Sequence, residues 1–439
     1  MSDSGMVFTL SASIVTLFFI TSSVLFFPSF HVKKLKLQTY WIVALIGAII
    51  VLSANPSLFG DIWQEFTSSS PVNPLKILIL FFSMTVLSVF LDEVGLFQFL
   101  ATKAVHIAKT NQFTLFFVLY GLVSLLTIFT SNDVVILTLT PFIVFFCKNT
   151  KVSPIPYLVA EFAAANTWSM MFIIGNPTNI YLGTSAGIDF ASYFSVMALP
   201  TIACGLVELL VLVLIFRKKL LLPMTPVEEK VSIGSKPDVI IGLIHLVACL
   251  VFLVISGYLN IQMWMISMIC ALSLLVSATI VRLITKRHWD YLGGSLARLP
   301  YQLIPFVLSM FIIVLALNKQ GVSARIGEFL SAGNPIWAYG SASLLASNLV
   351  NNIPMSILFS SLPNGLMGTD YTKAIYASII GSNIGAFLTP IGALAGIMFS
   401  GLLEQYGIKY GFKEFVKYGL LIAPITLVAA LGTLALVLH

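Results

Sequence analysis

The stretch QFTLFFVLYGLVSLLTIFTSNDVVILTLTPFIVFFC, residues 112–147, decides how this chain folds. It is apolar overall, but the segment TSND at 130–133 interrupts it near the middle. Since about 20 apolar residues cross a bilayer, the stretch predicts either two separate spans or a re-entrant hairpin that returns to its starting side. A second apolar run, 336–362, is interrupted in the same way by SNLVNN at 347–352.

The composition indicates a membrane protein. Of the 439 residues, 58% are hydrophobic and only 9% are charged, and the mean hydropathy is +1.01. A soluble domain is about a quarter charged, so these charges cannot cover a water-soluble surface of this size. We therefore predict an all-α, multi-pass protein of the cell membrane. The first apolar run, 7–28, has no Ala-x-Ala-like cleavage site and is predicted to be a span.

Positive charge distinguishes the two interpretations of the broken runs. Cytoplasmic loops of membrane proteins collect Lys and Arg. If both runs are hairpins, 19 of the 23 basic residues fall on the cytoplasmic side. If 112–147 crossed the membrane instead, the basic clusters that follow it would change sides. The charges thus favour about ten full spans, two re-entrant hairpins and both termini outside.

A polar, proline-containing linker at 217–237 divides the chain. It separates a first repeat, 1–216, from a second repeat, 238–439. An odd number of spans in each half gives the halves opposite orientations, which is the inverted-repeat plan of many transporters.

Short sequence similarities support the repeat. Asn132-Asp133 aligns with Asn351-Asn352 at the two interruptions. Farther along, Asn166 precedes Gly175 by nine residues, as Asn383 precedes Gly392. The order and spacing of these polar positions therefore agree between the halves.

Four breaks in apolar runs carry the chemistry: 130–133, 175–179, 347–352 and 388–392. In hydrocarbon, broken helices persist only where they face protein or a wet cavity. Helix N-termini at a break offer N–H groups to an anion, whereas free carbonyls and amide side chains offer oxygen to a cation. Asp133 is an acid at such a break, which makes it a functional candidate.

Other acids also lie in or beside apolar runs. Glu161 and Glu208 either relay protons or pair structurally with a neighbouring helix, and Asp92-Glu93 is expected at an interface. The segment GTSAG at 183–187 fits G-x-S-x-G, but it lies in a short loop between helices and lacks the strand context of a nucleophile. With no ATP-binding or dinucleotide fingerprint in the sequence, we predict a transporter and not an enzyme.

Five motifs together resemble the ArsB/NhaD type of the ion transporter superfamily. They are Phe90 to Phe97, Ser131-Asn132-Asp133 with Thr140-Pro141, Gly175-Asn176-Pro177-Thr178-Asn179, Asn351-Asn352-Ile353-Pro354, and Gly381 to Gly385 with Thr389-Pro390-Ile391-Gly392. This superfamily includes arsenite exporters, sodium/proton antiporters and sodium-coupled dicarboxylate symporters. The resemblance runs from about residue 75 to the C-terminus.

The resemblance implies a scaffold part and a transport part with two hairpins and two unwound helices. The implied substrate and ion sites are Ser131, Asn132, Asp133, Gly175, Asn176, Pro177, Thr178, Asn179, Asn351, Asn352, Asn383 and Thr389 to Gly392. Asn166, from the repeat alignment, and Asn348, from the second interruption, are further candidates. Arsenite exporters usually carry acids where this chain has Asn166 and Asn383, so the charge here is lower.

The expected function is secondary active transport of a small inorganic anion or oxyanion. Arsenite or antimonite export coupled to the proton gradient is the specific prediction; sodium/proton antiport and sodium-coupled dicarboxylate symport are the alternatives. No cofactor or metal is expected beyond the coupling ion, proton or sodium. The expected partners are the anion, the lipid bilayer and, as one option, a second copy in a homodimer. The net charge is +6, but the basic residues lie between apolar runs, so no nucleic acid is expected.

Overall fold

We describe the fold from a computed structural model, which covers residues 3–27, 29–32, 35–68, 73–225, 235–285 and 290–439. The helices are α1 (Asp3–Phe26), α2 (Thr39–Ala54), α3 (Leu58–Thr67), α4 (Pro74–Glu93), α5 (Leu96–Ala108), α6 (Gln112–Phe129), α7 (Asn132–Thr150), α8 (Ile155–Trp168), α9 (Pro177–Ser185), α10 (Phe190–Leu220), α11 (Lys236–Leu259), α12 (Met263–Thr285), α13 (Asp290–Ala297), α14 (Leu303–Lys319), α15 (Val322–Ser331), α16 (Pro335–Val350), α17 (Asn352–Phe359), α18 (Gly368–Gly385), α19 (Leu394–Gln405) and α20 (Phe412–Val437). Two 3-10 turns lie at Ile173–Gly175 and Leu362–Gly365. Two short antiparallel strands, β1 (Ser29–Val32) and β2 (Leu35–Gln38), connect α1 to α2.

The long helices are those of a membrane protein, as the composition predicts. Within the described residues, 8 helices are long and apolar enough to cross a bilayer: α1, α4, α6, α7, α10, α11, α12 and α20. Their outer faces are lipid-like; along α10, for example, Leu206, Leu210 and Leu214 lie on one stripe and are each more than half exposed. The predicted polytopic α-helical fold is confirmed, although the 8 include both helices of the first hairpin.

Two ends of the helix bundle can be told apart by their contacts. The Gln112 side chain donates to the Leu222 carbonyl (2.8 Å), and Thr225 donates to the Thr150 carbonyl (3.2 Å). The start of α6, the end of α7 and the end of α10 therefore share one face. The Phe145 ring packs on Tyr406 there. We call this end, which carries the lysines and arginines of 148–151, 217–219 and 409–417, the basic face.

The first interrupted run is a hairpin. Helices α6 and α7 both have their outer ends on the basic face, and the chain reverses at Thr130 and Ser131. Ser131 is extended (φ −129°, ψ 142°) and begins α7. The predicted re-entrant path of 112–147 is therefore the path that the chain takes.

The second interrupted run is a hairpin from the other end. Tyr339 on α16 donates to the Leu362 carbonyl (3.3 Å), and Ser361 donates to Asn318 at the end of α14 (3.0 Å). The tip lies at Asn351, where α16 gives way to α17. Tyr376 donates to the Ser192 carbonyl in the first turn of α10 (3.3 Å), and this 31-residue helix has its other end on the basic face. The two hairpins thus enter from opposite faces.

The order of elements runs in parallel in the two halves. Helices α4 to α10 comprise a span, a short helix, a hairpin, a broken helix and a long helix, and α14 to α20 follow the same order. The symmetry relation between the halves stays a prediction. Helix α10 continues to Leu220 because a C-terminus favours basic side chains such as those of 217–219. Of the predicted linker, 226–234 lies outside the described residues.

Several short elements are absent from the sequence prediction. They are the β1–β2 hairpin, which departs from the all-α expectation, and the amphipathic helices α3, α5 and α15. Their apolar residues are spaced along one face and some face outward, as Trp63 of α3 and Phe329 of α15 do. Such helices suit the bilayer surface, and hydropathy over a span-length window does not detect them.

The opposite approach of the hairpins predicts labelling from opposite sides. Asn149 and Asn364 are exposed at the outer ends of the two hairpins, while all four native cysteines are buried. In intact and inside-out vesicles, an impermeant maleimide should react with Asn149→Cys and Asn364→Cys from different faces. Under the positive-inside rule, position 149 is the cytoplasmic one.

The unmodified protein is the control for this labelling and should react little. Reaction of both variants from the same side would contradict the hairpin topology.

Candidate functional site

The tip of the first hairpin is held by an asparagine pair. The Asn132 side-chain oxygen accepts the backbone N–H of Asp133 (2.9 Å), and its amide donates to the Asn166 oxygen on α8 (3.1 Å). Both asparagines are buried. The tip is therefore fixed to α8 while Asp133, in the first turn of α7, is left to face the adjoining cavity.

The broken helix of the first half follows directly. Helix α8 ends at Trp168, and α9 begins at Pro177, which has no N–H to lose at a helix start. Asn176 caps α9, since its side-chain oxygen accepts the N–H (3.0 Å) and the hydroxyl (3.1 Å) of Thr178. Gly175 is required by space: a Cβ there would overlap the Ser169 carbonyl.

The tip of the second hairpin is strained and tied to the other broken helix. Asn351 has φ +72° and ψ 153°, a conformation that costs a non-glycine residue about 1–3 kcal/mol. Its amide donates to the Ile391 carbonyl (2.9 Å), and the Asn352 N–H donates to the Gly392 carbonyl (3.1 Å). The Asn352 side-chain oxygen is buried and has no partner among the described residues.

Asn348 and Thr389 complete this second cluster. The Asn348 amide donates to the Leu344 and Gly385 carbonyls (2.8 and 2.9 Å), and its oxygen accepts the Thr389 hydroxyl (2.7 Å). One side chain thus satisfies backbone carbonyls of two helices at once. The segment between α18 and α19 can therefore unwind here without leaving the Gly385 carbonyl without a hydrogen-bond donor.

Asn383 joins the two halves. Its oxygen accepts from the Ser169 hydroxyl (3.0 Å) and the Asn176 amide (3.1 Å), and its amide donates to the Asn179 oxygen (2.7 Å) and the Ile379 carbonyl (2.8 Å). All four contacts are buried. An acid here would have no proton for the two acceptors when ionised, so an asparagine at this position is a structural requirement of this network.

The structure brings the sequence-predicted residues into two clusters. One contains Asn132, Asn166, Gly175, Asn176, Pro177, Thr178, Asn179 and Asn383; the other contains Asn348, Asn351, Asn352, Thr389 and Gly392. Ser131 and Asp133 face the cavity beside the first cluster. No direct hydrogen bond between the two hairpin tips is seen in the described residues, and the link between them runs through α8 and α18.

The cavity at Asp133 has a volume of about 360 Å³. Ser131, Asp133 and Leu137 of the first hairpin (hairpin 1, helices α6 and α7) line the cavity on one side. Residues 297–303 line it on the side toward the basic face. A neighbouring cavity of about 770 Å³ shares Leu137 and reaches Glu404 and Lys409 of the basic face. Asp133 is therefore approached from the basic face in this conformation.

Sequence reasoning missed several residues of this cavity. Tyr40, Thr85, Gln302 and Arg298 line it, yet each is an ordinary member of a span or a loop in the sequence. Ser169 was also missed, although it directly follows the end of α8. Proximity to a predicted break was the one signal available for it.

Arg298 links the cavity wall to the predicted interface acids. Its guanidinium lies 2.7 Å from Asp92 and 2.6 Å from Glu93. Asp92 also accepts the Thr138 hydroxyl of hairpin 1 (2.7 Å), so Asp92 does lie at an interface. Partial burial opposes the charge of Arg298, but the two carboxylates raise its pKa and keep it a cation.

Of the two other buried acids, Glu208 is fully paired. Tyr120 donates to one of its oxygens (3.0 Å) and Thr167 donates to the other. Glu161 has the Thr140 hydroxyl on one oxygen (3.0 Å), and its second oxygen has no partner among the described residues. The two acids that the sequence treats alike are thus in different environments.

The Asn383 network predicts that Asn383→Asp destabilises the protein and stops transport. The ionised side chain would face the Asn179 oxygen and the Ile379 carbonyl, and each buried polar group left unsatisfied costs about 1–3 kcal/mol. Thermal unfolding in detergent, together with transport in proteoliposomes, measures both effects. Asn364→Asp, at an exposed position, is the matched control, and an unchanged melting temperature for Asn383→Asp would contradict the network.

Comparison with known proteins supports this fold. A family model described as CitMHS, citrate transporter, matches residues 35–381. The arsenical pump membrane protein of Escherichia coli is 26% identical over 423 residues, which cover 90% of this chain and 91% of that protein. The putative arsenical pump membrane protein of Bacillus subtilis (strain 168) is 24% identical over 434 residues, covering 90% and 93%.

Among solved structures, the crystal structure of the Alcanivorax borkumensis YdaH transporter superposes with a TM-score of 0.56 at 14% identity, covering 99% of this chain and 97% of that one. At this identity the likeness concerns the fold alone. The resemblance to the ion transporter superfamily is confirmed, and the family match covers most of the chain. The chain is a multi-pass membrane transporter and belongs to the CitMHS citrate transporter family.

Proposed function

We propose that this chain exports the neutral oxyacid of trivalent arsenic or antimony across the cell membrane in exchange for protons. The observation that carries the proposal is the charge of the Asp133 cavity. Arg298 is the only basic residue among the described residues that line it, and Asp92 and Glu93 already neutralise it. A solute that is itself a multiply charged anion has no free cation to bind there.

The polar groups around the breaks suit a small uncharged hydroxy acid. Arsenous acid is neutral near pH 7 and presents only hydroxyl groups, which both donate and accept hydrogen bonds. Ser131 and the Asp133 carboxylate offer a donor and acceptors at the cavity wall, and the network behind them is made of amides and hydroxyls. Hydrogen-bonding groups that buried partners hold in place distinguish between solutes by the solute's shape and its arrangement of donors and acceptors, rather than by its charge.

Asp133 supplies the coupling in this proposal. Export of a neutral solute against its gradient can be driven by an ion that enters down its own gradient. Asp133 is the acid at the cavity, and it is reached from the basic face. A carboxylate that takes up a proton on one side and releases it on the other exchanges that proton for the solute.

The relatives support the choice of solute. Proteins named arsenical pump membrane protein align with about the whole of this chain. Their identity to it is 26–27%, so the printed names support arsenite as the first substrate to test.

Sodium-coupled uptake of a carboxylate anion is the second candidate, and two observations favour it. The unpartnered Asn352 oxygen lies beside the Gly392 carbonyl region at the second tip, and hard oxygen ligands suit sodium. The helix N-termini of α7, α9 and α17 also lie at the breaks, where their partial positive charge favours an anion.

Asp133→Asn should separate coupling from binding. The amide keeps the shape of the side chain but carries no exchangeable proton, so proton-driven arsenite accumulation should be lost while arsenite exchange persists. The measurement is arsenite accumulation in proteoliposomes under separately imposed proton and sodium gradients, with citrate and succinate as comparison substrates.

The same assay decides between the candidates. Accumulation of citrate or succinate that needs sodium and ignores the proton gradient would replace the first proposal by the second. Unchanged proton-driven accumulation in Asp133→Asn would remove this residue from coupling.

Asn352→Ala should abolish transport and leave the fold intact. Its side-chain oxygen has no partner in the described residues, so its loss leaves no protein group unsatisfied. Asn348→Ala is the matched comparison, because its side chain bonds Thr389 and two carbonyls, and its loss should lower stability by about 1–3 kcal/mol. Thermal melts beside arsenite and citrate transport assays test both, and normal transport by Asn352→Ala would show that the tip is only a helix cap.

A further inference from the structure

Glu161 is a buried carboxyl group that the site described above does not use. It lies on α8 with 1% of its surface exposed. One oxygen accepts the Thr140 hydroxyl at 3.0 Å, and the other has no partner among the described residues. An ionised carboxylate with an empty oxygen in such a place is strongly disfavoured, whereas the neutral acid is not.

The surroundings of Glu161 are dry. Phe116, Leu119 and Val123 of α6 and Ile143 of α7 form most of its pocket. The space between these side chains is too small for a water molecule. Neither a solvent molecule nor a basic side chain in this pocket can stabilise a negative charge.

Among the described residues, no basic side chain lines the Glu161 pocket. The other titratable groups that line it are Tyr120 on α6 and Tyr157 on α8. Helices α19 and α20 approach α8 with apolar contacts, those of Phe399 and Phe415 with Phe162. A proton on Glu161 would therefore remove the uncompensated negative charge from this pocket.

Glu208 provides the contrast. It is as deeply buried as Glu161, but Tyr120 and Thr167 donate to its two oxygens. Both oxygens of Glu208 thus have hydroxyl partners that join α6, α8 and α10, whereas Glu161 has a partner on one oxygen only. The Tyr120 hydroxyl shares its single proton between Glu208 and the Gly205 carbonyl (2.7 Å), so these contacts hold Glu208 in place without fixing its charge.

One face of α7 leads from the cavity to Glu161. Asp133, Leu137 and Thr140 are spaced at i, i+4 and i+7, so they lie along the same side of the helix. Pro141 has no N–H and leaves the Leu137 carbonyl without its helical donor. Leu137 lines the cavity, and the Thr140 hydroxyl ends the row at Glu161.

We propose that Glu161 is a second proton-binding site of this transporter, loaded and closed off in this conformation, and that it exchanges its proton when α7, whose Asp133–Leu137–Thr140 face borders the cavity, moves away from α8. The proton adds to the carboxylate as an O–H and leaves to cavity water that such a movement admits, as a hydronium ion, so no other reactant is needed. Its use in transport rests on the proton exchange proposed above, whereas proton binding itself does not.

Infrared difference spectroscopy of the purified full-length protein tests proton binding without a substrate. Between acid and alkaline buffer, the wild type should lose a carboxylic C=O band that shifts in D₂O. Glu161→Gln should lack this band and keep its melting temperature, because an amide is isosteric with the neutral acid. Thr140→Val should move the band to higher frequency by removing its hydrogen bond, and Glu208→Gln should leave it in place.

Two results would overturn the proposal: an unchanged difference spectrum in Glu161→Gln, or a Glu161 band that stays constant at every pH, which marks a permanently neutral structural acid. In proteoliposomes, Glu161→Gln should move fewer protons per arsenite than wild type, which a structural role would not produce, and an equal number would also contradict the proposal. If wild type transports no arsenite, the proposed function fails, and the spectra still decide the fate of the Glu161 site.

Discussion

A backbone N–H or C=O without a partner costs several kcal/mol in hydrocarbon, and this constraint governs the whole centre of the molecule. Two hairpin tips and two broken helices lie within the membrane region, and each leaves peptide groups without a partner in its own helix. Asparagine amides satisfy them, since one such side chain both donates and accepts. Asn348 serves two carbonyls, and Asn351 serves the carbonyl of Ile391 and the N–H of Ile353. The asparagines at the breaks thus have a structural role in the bilayer, because they satisfy backbone groups there, whatever they bind.

The same network sets the charge of the site. Asn166 and Asn383 occupy the positions where the breaks of the two halves meet α8 and α18, and both are saturated by neutral partners. With neutral hubs, the remaining charges lie at the edge of the cavity, in Asp133 and in the Arg298 cluster. A neutral centre with its charges at the edge is the feature on which the proposal of an uncharged, proton-exchanged solute rests.

Much of this fold could be predicted from the sequence, because its strongest signals are long apolar runs and polar interruptions. Residues 130–133 and 347–352 are predictable as hairpin tips because a polar segment within an apolar run is unfavourable in lipid unless it faces protein or water. The amphipathic α3, α5 and α15 were missed because a surface helix has only a narrow apolar stripe. The contacts of Asp92 with Arg298 and Thr138 could not be predicted either. They join three segments that are distant in sequence, and no periodic pattern relates their positions. The pairing of Asn132 with Asn166 depends in the same way on tertiary packing.

Glu161 and Glu208 illustrate the limit most sharply, since their sequence contexts are nearly equivalent. Each is a lone acid within an apolar helix, and burial alone makes both expensive. The difference comes from the neighbours: Tyr120 and Thr167 give Glu208 a hydroxyl partner for each oxygen, whereas Thr140 gives Glu161 a partner for only one. A carboxyl group whose two oxygens both have hydrogen-bond partners is held in place by them. A carboxyl group with one unpartnered oxygen, as Glu161 has, is favoured by neither charge state through its hydrogen bonds, and the proposed proton exchange rests on this difference from Glu208.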